Sequence, residues 1–128
     1  MKKVLRLSSL LLVLVALLGL TSCAPKDAVA AKEKLEKKEY NVAVDGKIIP
    51  AALKLFGIDG VETVVTATKK VGEEVETVTA VLFAEKAQAK DAIEKLVEYA
   101  KKNGEETEVK QAGKWLYYGT EQAMKDFN

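Results

Sequence analysis

A run of mostly apolar residues near the amino terminus constrains this chain more than any other feature. The run covers residues 7–20, LSSLLLVLVALLGL, and follows a start that carries Lys2, Lys3 and Arg6. A helix that crosses a bilayer needs about 20 apolar residues, so this run is short for a permanent span. Its charged start and its length fit a secretory signal instead. Removal of residues 1–22 leaves 106 residues, which are enough for one packed core.

The residues that close the apolar run are Leu20-Thr21-Ser22-Cys23. They resemble the lipobox of bacterial lipoproteins, which ends a type II signal peptide. The resemblance implies a diacylglyceryl group on the Cys23 thiol, with fatty acyl chains such as palmitate, and cleavage before Cys23. A thiolate is nucleophilic enough for that alkylation. The alternative is an ordinary secretory signal followed by an unmodified cysteine.

The expected domain organisation follows from this reading. We predict a lipoprotein signal peptide over residues 1–22, a short tether with lipidated Cys23 over residues 23–26, and one α+β domain over residues 27–128. An extended residue spans at most about 3.5 Å, so the domain should lie close to the bilayer. The protein is then extracytoplasmic and joined to the bacterial cell membrane by its lipid. In Gram-negative members of the family, Asp after the cysteine favours the inner membrane; Ala24 here favours the outer membrane, if the host has one.

The remaining sequence predicts four helices and five strands. Helical spacing and cap residues favour helices over 27–39, 49–57 and 85–103, and after Thr120. Alternating or Val/Thr-rich segments favour strands over 40–45, 61–69, 75–83, 107–111 and 114–119. After the first helix, the order matches a ferredoxin-like split βαβ unit with a further strand and helix appended. We therefore expect an antiparallel sheet with the helices on one face.

The composition removes several kinds of chemistry. Beyond Cys23 the chain has no Ser and no His, so the common nucleophilic mechanisms and Cys/His metal sites have no residues to use. We expect no catalytic residues, no metal and no cofactor. Glu73-Glu74 and Glu105-Glu106 offer oxygen to calcium, but their spacing differs from that of an EF-hand loop and solvated turns explain them better.

Nucleic acid is not an expected partner. Residues 23–128 hold 17 basic and 19 acidic side chains, and Arg6, the only arginine, lies in the leader. The basic side chains alternate with acidic ones, which is typical of a solvated surface. The expected partners are the membrane, through the lipid anchor, and an unknown protein or small ligand.

Trp115, Tyr117 and Tyr118 form a candidate binding surface. On a strand, Trp115 and Tyr117 point to one face, while Leu116 and Tyr118 point to the other. Trp and Tyr are frequent in binding hot spots and at membrane interfaces. The alternative is ordinary packing of this strand with both faces covered by helices.

In architecture the chain resembles small single-domain lipoproteins of Firmicutes-type bacteria that have no assigned activity. The stretches that suggest it are EKLEKKEYNV, GIDGVETVVTATK and GKWLYYGT. We expect a non-enzymatic binding or scaffolding domain at the cell envelope. One alternative is a small-ligand sensor or transport accessory with a pocket between the sheet and the helix over 85–103. Another is an enzyme that uses only Asp, Glu, Lys or Tyr.

Overall fold

The computed structural model describes residues 24–104 and 108–128, which form an α+β domain. The predicted signal peptide and Cys23, together with Glu105-Glu106, lie outside these residues. The elements, in chain order, are α1 (Ala28–Glu36), β1 (Asn41–Asp45), α2 (Ile48–Leu55), β2 (Val61–Val71), β3 (Glu74–Phe83), α3 (Lys86–Lys102), β4 (Lys110–Ala112), β5 (Trp115–Gly119) and α4 (Glu121–Phe127). The predicted class and the order of elements along the chain are confirmed.

The five strands form a single sheet in the order β1-β2-β3-β5-β4, and all neighbours are antiparallel. Because β3 and β4 are both antiparallel to β5, they run parallel to each other with β5 between them. A split βαβ arrangement is therefore present, and it consists of β3, α3 and β4. The first strand takes no part in it, since β1 pairs directly with β2 at the edge of the sheet.

The helices cover both faces of the sheet, which corrects the expectation that they share one face. On the first face, α1 and α4 pack against Val65, Ala80 and Tyr117. On the second face, α2 and α3 pack against Val64, Val81 and other apolar side chains. The reason lies in the strands, where adjacent residues such as Val64 and Val65 are both buried. A strand with apolar residues on both sides needs cover on both.

Helix α3 shows how the sequence positions the second face. A capping box between Glu85 and Gln88 begins the helix. Its buried stripe is made mostly of alanines at three- and four-residue spacing, so the helix can approach the sheet closely; the stripe is Ala89, Ala92, Leu96 and Ala100. At the other end, the side chain of Asn103 donates to the carbonyl of Tyr99 at 2.9 Å.

Candidate functional site

The predicted aromatic surface is part of the core. Trp115 is 2% exposed, Tyr117 4% and Tyr118 5%. Trp115 and Tyr117 both contact the ring of Phe127, with ring centroids 5.1 and 4.9 Å apart, while Tyr118 packs on the second face. The alternative of ordinary strand packing under helices on both faces is confirmed. These three side chains are therefore corrected from a binding surface to core residues.

Trp115 has a second role, which the sequence did not predict. Its indole Nε1 donates a buried hydrogen bond of 2.7 Å to the backbone carbonyl oxygen of Pro25. Pro25 is itself buried, and Ala24 packs against the first-face core. The described chain is thus fixed to the domain from its first residues. Cys23 precedes this point by two positions, so the hydrogen bond defines where on the domain any group on Cys23 is attached.

A shallow depression of about 480 Å³ surrounds this attachment point. Lys26, Lys86 and Lys114 contribute to its lining and are exposed. Gln111 holds two sides of the depression together, because its Nε2 donates to the carbonyls of Lys86 and Gly113 at 3.2 and 3.0 Å. We call this region, defined by Ala24, Pro25, Trp115 and the three lysines, the attachment surface.

A second candidate site lies where the end of α1 meets α4 and the β2–β3 hairpin. It is an open groove of about 920 Å³ with charges of both signs. Its charged lining residues are Lys37, Lys38, Lys69 and Lys125, and Glu39, Glu74, Glu76, Glu121 and Asp126. We call it the mixed-charge groove. Charges of both signs within one groove suit a polar ligand that carries both a cationic and an anionic group.

Asp126 is the buried charge at the base of the mixed-charge groove. It is 9% exposed and accepts hydrogen bonds from three side chains. Tyr40 Oη donates to Oδ2 at 2.7 Å, and Gln122 Nε2 and Lys38 Nζ donate to Oδ1 at 3.1 and 3.4 Å. A buried carboxylate with this many donors is well satisfied. The network also joins α1 to α4 across the first face.

The network shifts the pKa values of the two groups at its centre, the Asp126 carboxyl and the Tyr40 hydroxyl. Burial raises the pKa of the Asp126 carboxyl, but the hydrogen bonds from Tyr40, Gln122 and Lys38 outweigh burial and hold that pKa below its usual value. Burial, together with the hydrogen bond to Asp126, raises the pKa of the Tyr40 hydroxyl well above its usual value. At neutral pH the pair is therefore a neutral phenol that donates to a carboxylate.

The backbone next to Tyr40 is also unusual. Glu39 has a φ of 69°, and it is the only non-glycine residue with positive φ among the described residues. It ends α1, because the N–H of Tyr40 reaches back to the carbonyl of Leu35 at 3.1 Å. Lys69 then lies over the Tyr40 ring, with Nζ 4.6 Å from the centroid, and donates to the carbonyl of Lys38 at 3.1 Å.

The space between the sheet and α3 was the predicted pocket of the sensor hypothesis. Ala89, Leu96 and Ala100 are fully buried there, so this interface is filled. The depression beside α3 is lined partly by Asp59, Gln88 and Lys95 and holds about 210 Å³. It is small and polar for a site of this kind, since ligand pockets are mostly apolar and measure roughly 300–1,000 Å³.

Sequence reasoning missed Asp126 because its partner is distant in the chain. The sequence shows Asp126 beside the apolar residues of α4, and nothing in that pattern indicates Tyr40. The alternating charges of residues 23–128 predict a solvated surface, yet Lys38 Nζ lies 3.4 Å from Oδ1 of the buried Asp126. The only indication in the sequence is that Asp126 lies next to Phe127, on a helix too short to offer many solvent-facing positions.

Within residues 24–104 and 108–128, no helix combines the length and the apolar character needed to cross a membrane. In the same part of the chain, no group of three or more His, Cys, Asp or Glu residues is placed to hold a metal ion. We also compared the chain with known proteins. No family model, no curated protein and no solved structure matches it.

Proposed function

We propose that this protein is a cell-envelope lipoprotein, anchored through lipidated Cys23, whose domain acts as a non-enzymatic binding or scaffolding module. The observation that carries the proposal is the buried hydrogen bond from Trp115 to Pro25. It supports the proposal because the folded domain begins immediately after the lipobox-like residues. A lipid on Cys23 would then hold the domain itself at the bilayer, with no long linker between them.

The energetics of anchoring agree with this arrangement. Each buried methylene contributes about 0.8 kcal/mol to membrane affinity, and one acyl chain gives only marginal binding. Two or three chains on one residue hold a protein durably. Ala24 and Pro25 pack tightly against the domain. This packing does not prevent anchoring, because the acyl chains on Cys23 would still be free to insert into the bilayer.

The anchoring proposal is tested by the intact mass of the protein purified from the membranes of a bacterial host. We expect a mature chain that begins at Cys23 and carries the mass of a diacylglyceryl group, with or without a further acyl chain. Cys23→Ser should move the protein out of the mature membrane-bound pool, whereas the control Ser22→Ala keeps a small residue before the cysteine and should be processed normally. A mature chain with an unmodified thiol would contradict the proposal.

The binding role is tested by cross-linking in intact envelopes, followed by purification of the anchored protein. We expect a defined partner whose recovery falls when the charges of the mixed-charge groove are reversed, for example with Lys37→Glu and Lys125→Glu. Val75→Ala, a change at an exposed strand position outside the groove, should leave recovery unchanged. Absence of any partner under several growth conditions would count against this role.

The mixed-charge groove also favours a second candidate, a sensor or transport accessory for a small ligand. Its charges of both signs fit a zwitterionic molecule such as an amino acid or a short peptide. Thermal unfolding in the presence of a panel of amino acids and peptides tests this candidate. A rise in midpoint that disappears in Lys37→Glu would favour it, and no shift with any member would exclude this ligand class.

A further inference from the structure

We infer that the attachment surface binds the anionic phospholipid headgroups of the membrane to which the protein is anchored, and so fixes the orientation of the domain. This inference rests on the proposed anchoring through Cys23. Ala24, the residue that follows Cys23, lines this surface, so an anchor on Cys23 brings the surface to the bilayer first. A domain anchored at a different point would not present the attachment surface to the bilayer first.

The charges of the attachment surface complement an anionic bilayer. Lys26, Lys86 and Lys114 are all exposed, and within the described part of the chain none of them forms an ion pair. They come from three separate segments, which are the residues before α1, the start of α3 and the β4–β5 turn. Folding alone brings these segments together around Pro25 and Trp115.

The nearest acidic residues along the chain are occupied as helix caps. Asp27 follows Lys26, and its Oδ1 accepts from the N–H of Ala30 at 2.8 Å. Glu85 precedes Lys86 and takes part in the capping box of α3, where its own N–H donates to Gln88 Oε1 at 3.1 Å. The positive ends of two helix dipoles partly offset these carboxylates. An approaching surface therefore meets three lysine charges, offset in part by the exposed carboxylates of Asp27 and Glu85.

The magnitude is sufficient to orient a protein that is already anchored. One lysine near an anionic bilayer strengthens its association roughly fivefold at low salt. Three lysines together give at most on the order of 100-fold preference for the orientation that places them against the headgroups, and the charges of Asp27 and Glu85 reduce this value. Salt screens this preference, because the Debye length falls from about 10 Å at 0.1 M to about 3 Å at 1 M.

The test is lysine labelling of the full mature protein, reconstituted into vesicles of neutral lipid or of neutral lipid mixed with about one third phosphatidylglycerol. A water-soluble amine reagent is applied, and labelling at each lysine is read by peptide mass spectrometry. We expect labelling of Lys26, Lys86 and Lys114 to fall at least threefold on the anionic vesicles only, and to recover at high salt. Exposed Lys54, Lys70 and Lys101 serve as controls and should label equally on both.

Variants sharpen the test. Lys26→Glu should reduce the protection of Lys86 and Lys114 on the anionic vesicles, because it lowers the positive charge of the attachment surface, whereas K54E/K70E/K101E should retain that protection. Equal labelling of the three lysines on both vesicle types would overturn the inference, as would equal protection by inorganic phosphate alone.

The intact mass of the same sample reports acylation. Protection without acylation would therefore contradict the anchoring proposal alone, and acylation without protection would contradict this inference alone.

Discussion

The two faces of the sheet are packed by different means. The first face, under α1 and α4, contains Trp115, Tyr117, Phe127 and Tyr40 and is crossed by directional hydrogen bonds between distant parts of the chain. The second face, under α2 and α3, is mainly aliphatic, and its cluster extends from Leu53 to Tyr118. The comparison teaches that the second face is held mainly by apolar area, with an exposed hydrogen bond from Lys95 Nζ to the carbonyl of Gly57 at 2.9 Å, whereas the first face also depends on buried polar atoms with specific partners.

The largest expected effect is on the first face, at its aromatic centre. Phe127→Ala removes a fully buried ring that contacts both Trp115 and Tyr117. We expect a loss of about 3–5 kcal/mol in the free energy of unfolding, from lost burial and a residual cavity. Urea denaturation measures it. Leu55→Ala, at a side chain that is 90% exposed, is the control and should change little; a small effect of Phe127→Ala would show that α4 is not part of the cooperative core.

The matched change on the second face is Leu96→Ala. Leu96 is fully buried on α3, and we expect a loss of about 2–5 kcal/mol in unfolding free energy. If the faces differ as described, Leu96→Met should lose much less stability than Leu96→Ala, because Met nearly conserves the buried apolar volume of Leu. An equally large loss with Met would mean that this face also demands one particular shape. The same urea experiment reads both variants.

Removal of a polar partner should matter on the first face. Asp126→Ala leaves the buried hydroxyl of Tyr40 without its acceptor, and we expect a loss of about 1–3 kcal/mol. In the double variant with Tyr40→Phe, part of that loss should be recovered, because no unpaired hydroxyl remains. Strictly additive effects would show that the two groups do not act as a pair.

The loss of stability at acidic pH should also depend on the Asp126 carboxylate. The pKa of Asp126 is held below its usual value in the folded state, so the unfolded state binds the proton more readily. The stabilisation is complete above the unfolded value of about 3.9 and is lost as pH falls through the folded pKa. Asp45, whose pKa is lowered by backbone N–H groups of Lys47, Ile49 and Ile48, acts in the same direction. Asp126→Asn should therefore remove only part of the decrease in stability at acidic pH, as measured by thermal unfolding.

The smallest expected effect is at Glu39, and it is stabilising. Its φ of 69° is costly for a residue with a side chain. Glu39→Gly relieves this strain and should raise the free energy of unfolding by about 0.5–1 kcal/mol. Glu33→Gly, at an exposed position inside α1, is the contrasting control and should lower it by a similar amount. A destabilising Glu39→Gly would mean that the Glu39 side chain contributes a contact worth more than the strain.

The sequence predicted the elements well because their signals are local. The apolar stripe and caps of α3 and the Val/Thr-rich strands each lie within one short segment. The placement of helices on two faces was missed, although Ala80 to Phe83 and Trp115 to Tyr118 are continuous apolar or aromatic runs, the pattern of strands covered on both sides. The sequence therefore contains the pattern for helices on both faces. The order of elements, which matches a split unit, favours helices on one face instead.

The candidate sites could not be predicted, because their residues meet only in the folded chain. The hydrogen bond from Trp115 to Pro25 spans 90 residues, and that from Tyr40 to Asp126 spans 86. The attachment surface combines lysines from three segments. In the sequence, each of them is simply one of many charges at an exposed position.

The position of β5 between β3 and β4 has a consequence for how the molecule is made. A chain that emerges amino terminus first, from a ribosome or from a translocation pore, delivers β1, β2 and β3 early, but β5, which joins β3 to β4, comes almost last. Until residue 115 has emerged, the indole that fastens the first residues is missing. Early release or truncation near the carboxyl terminus would therefore leave an open sheet edge and a loose amino-terminal segment, the kind of intermediate that aggregates or is degraded.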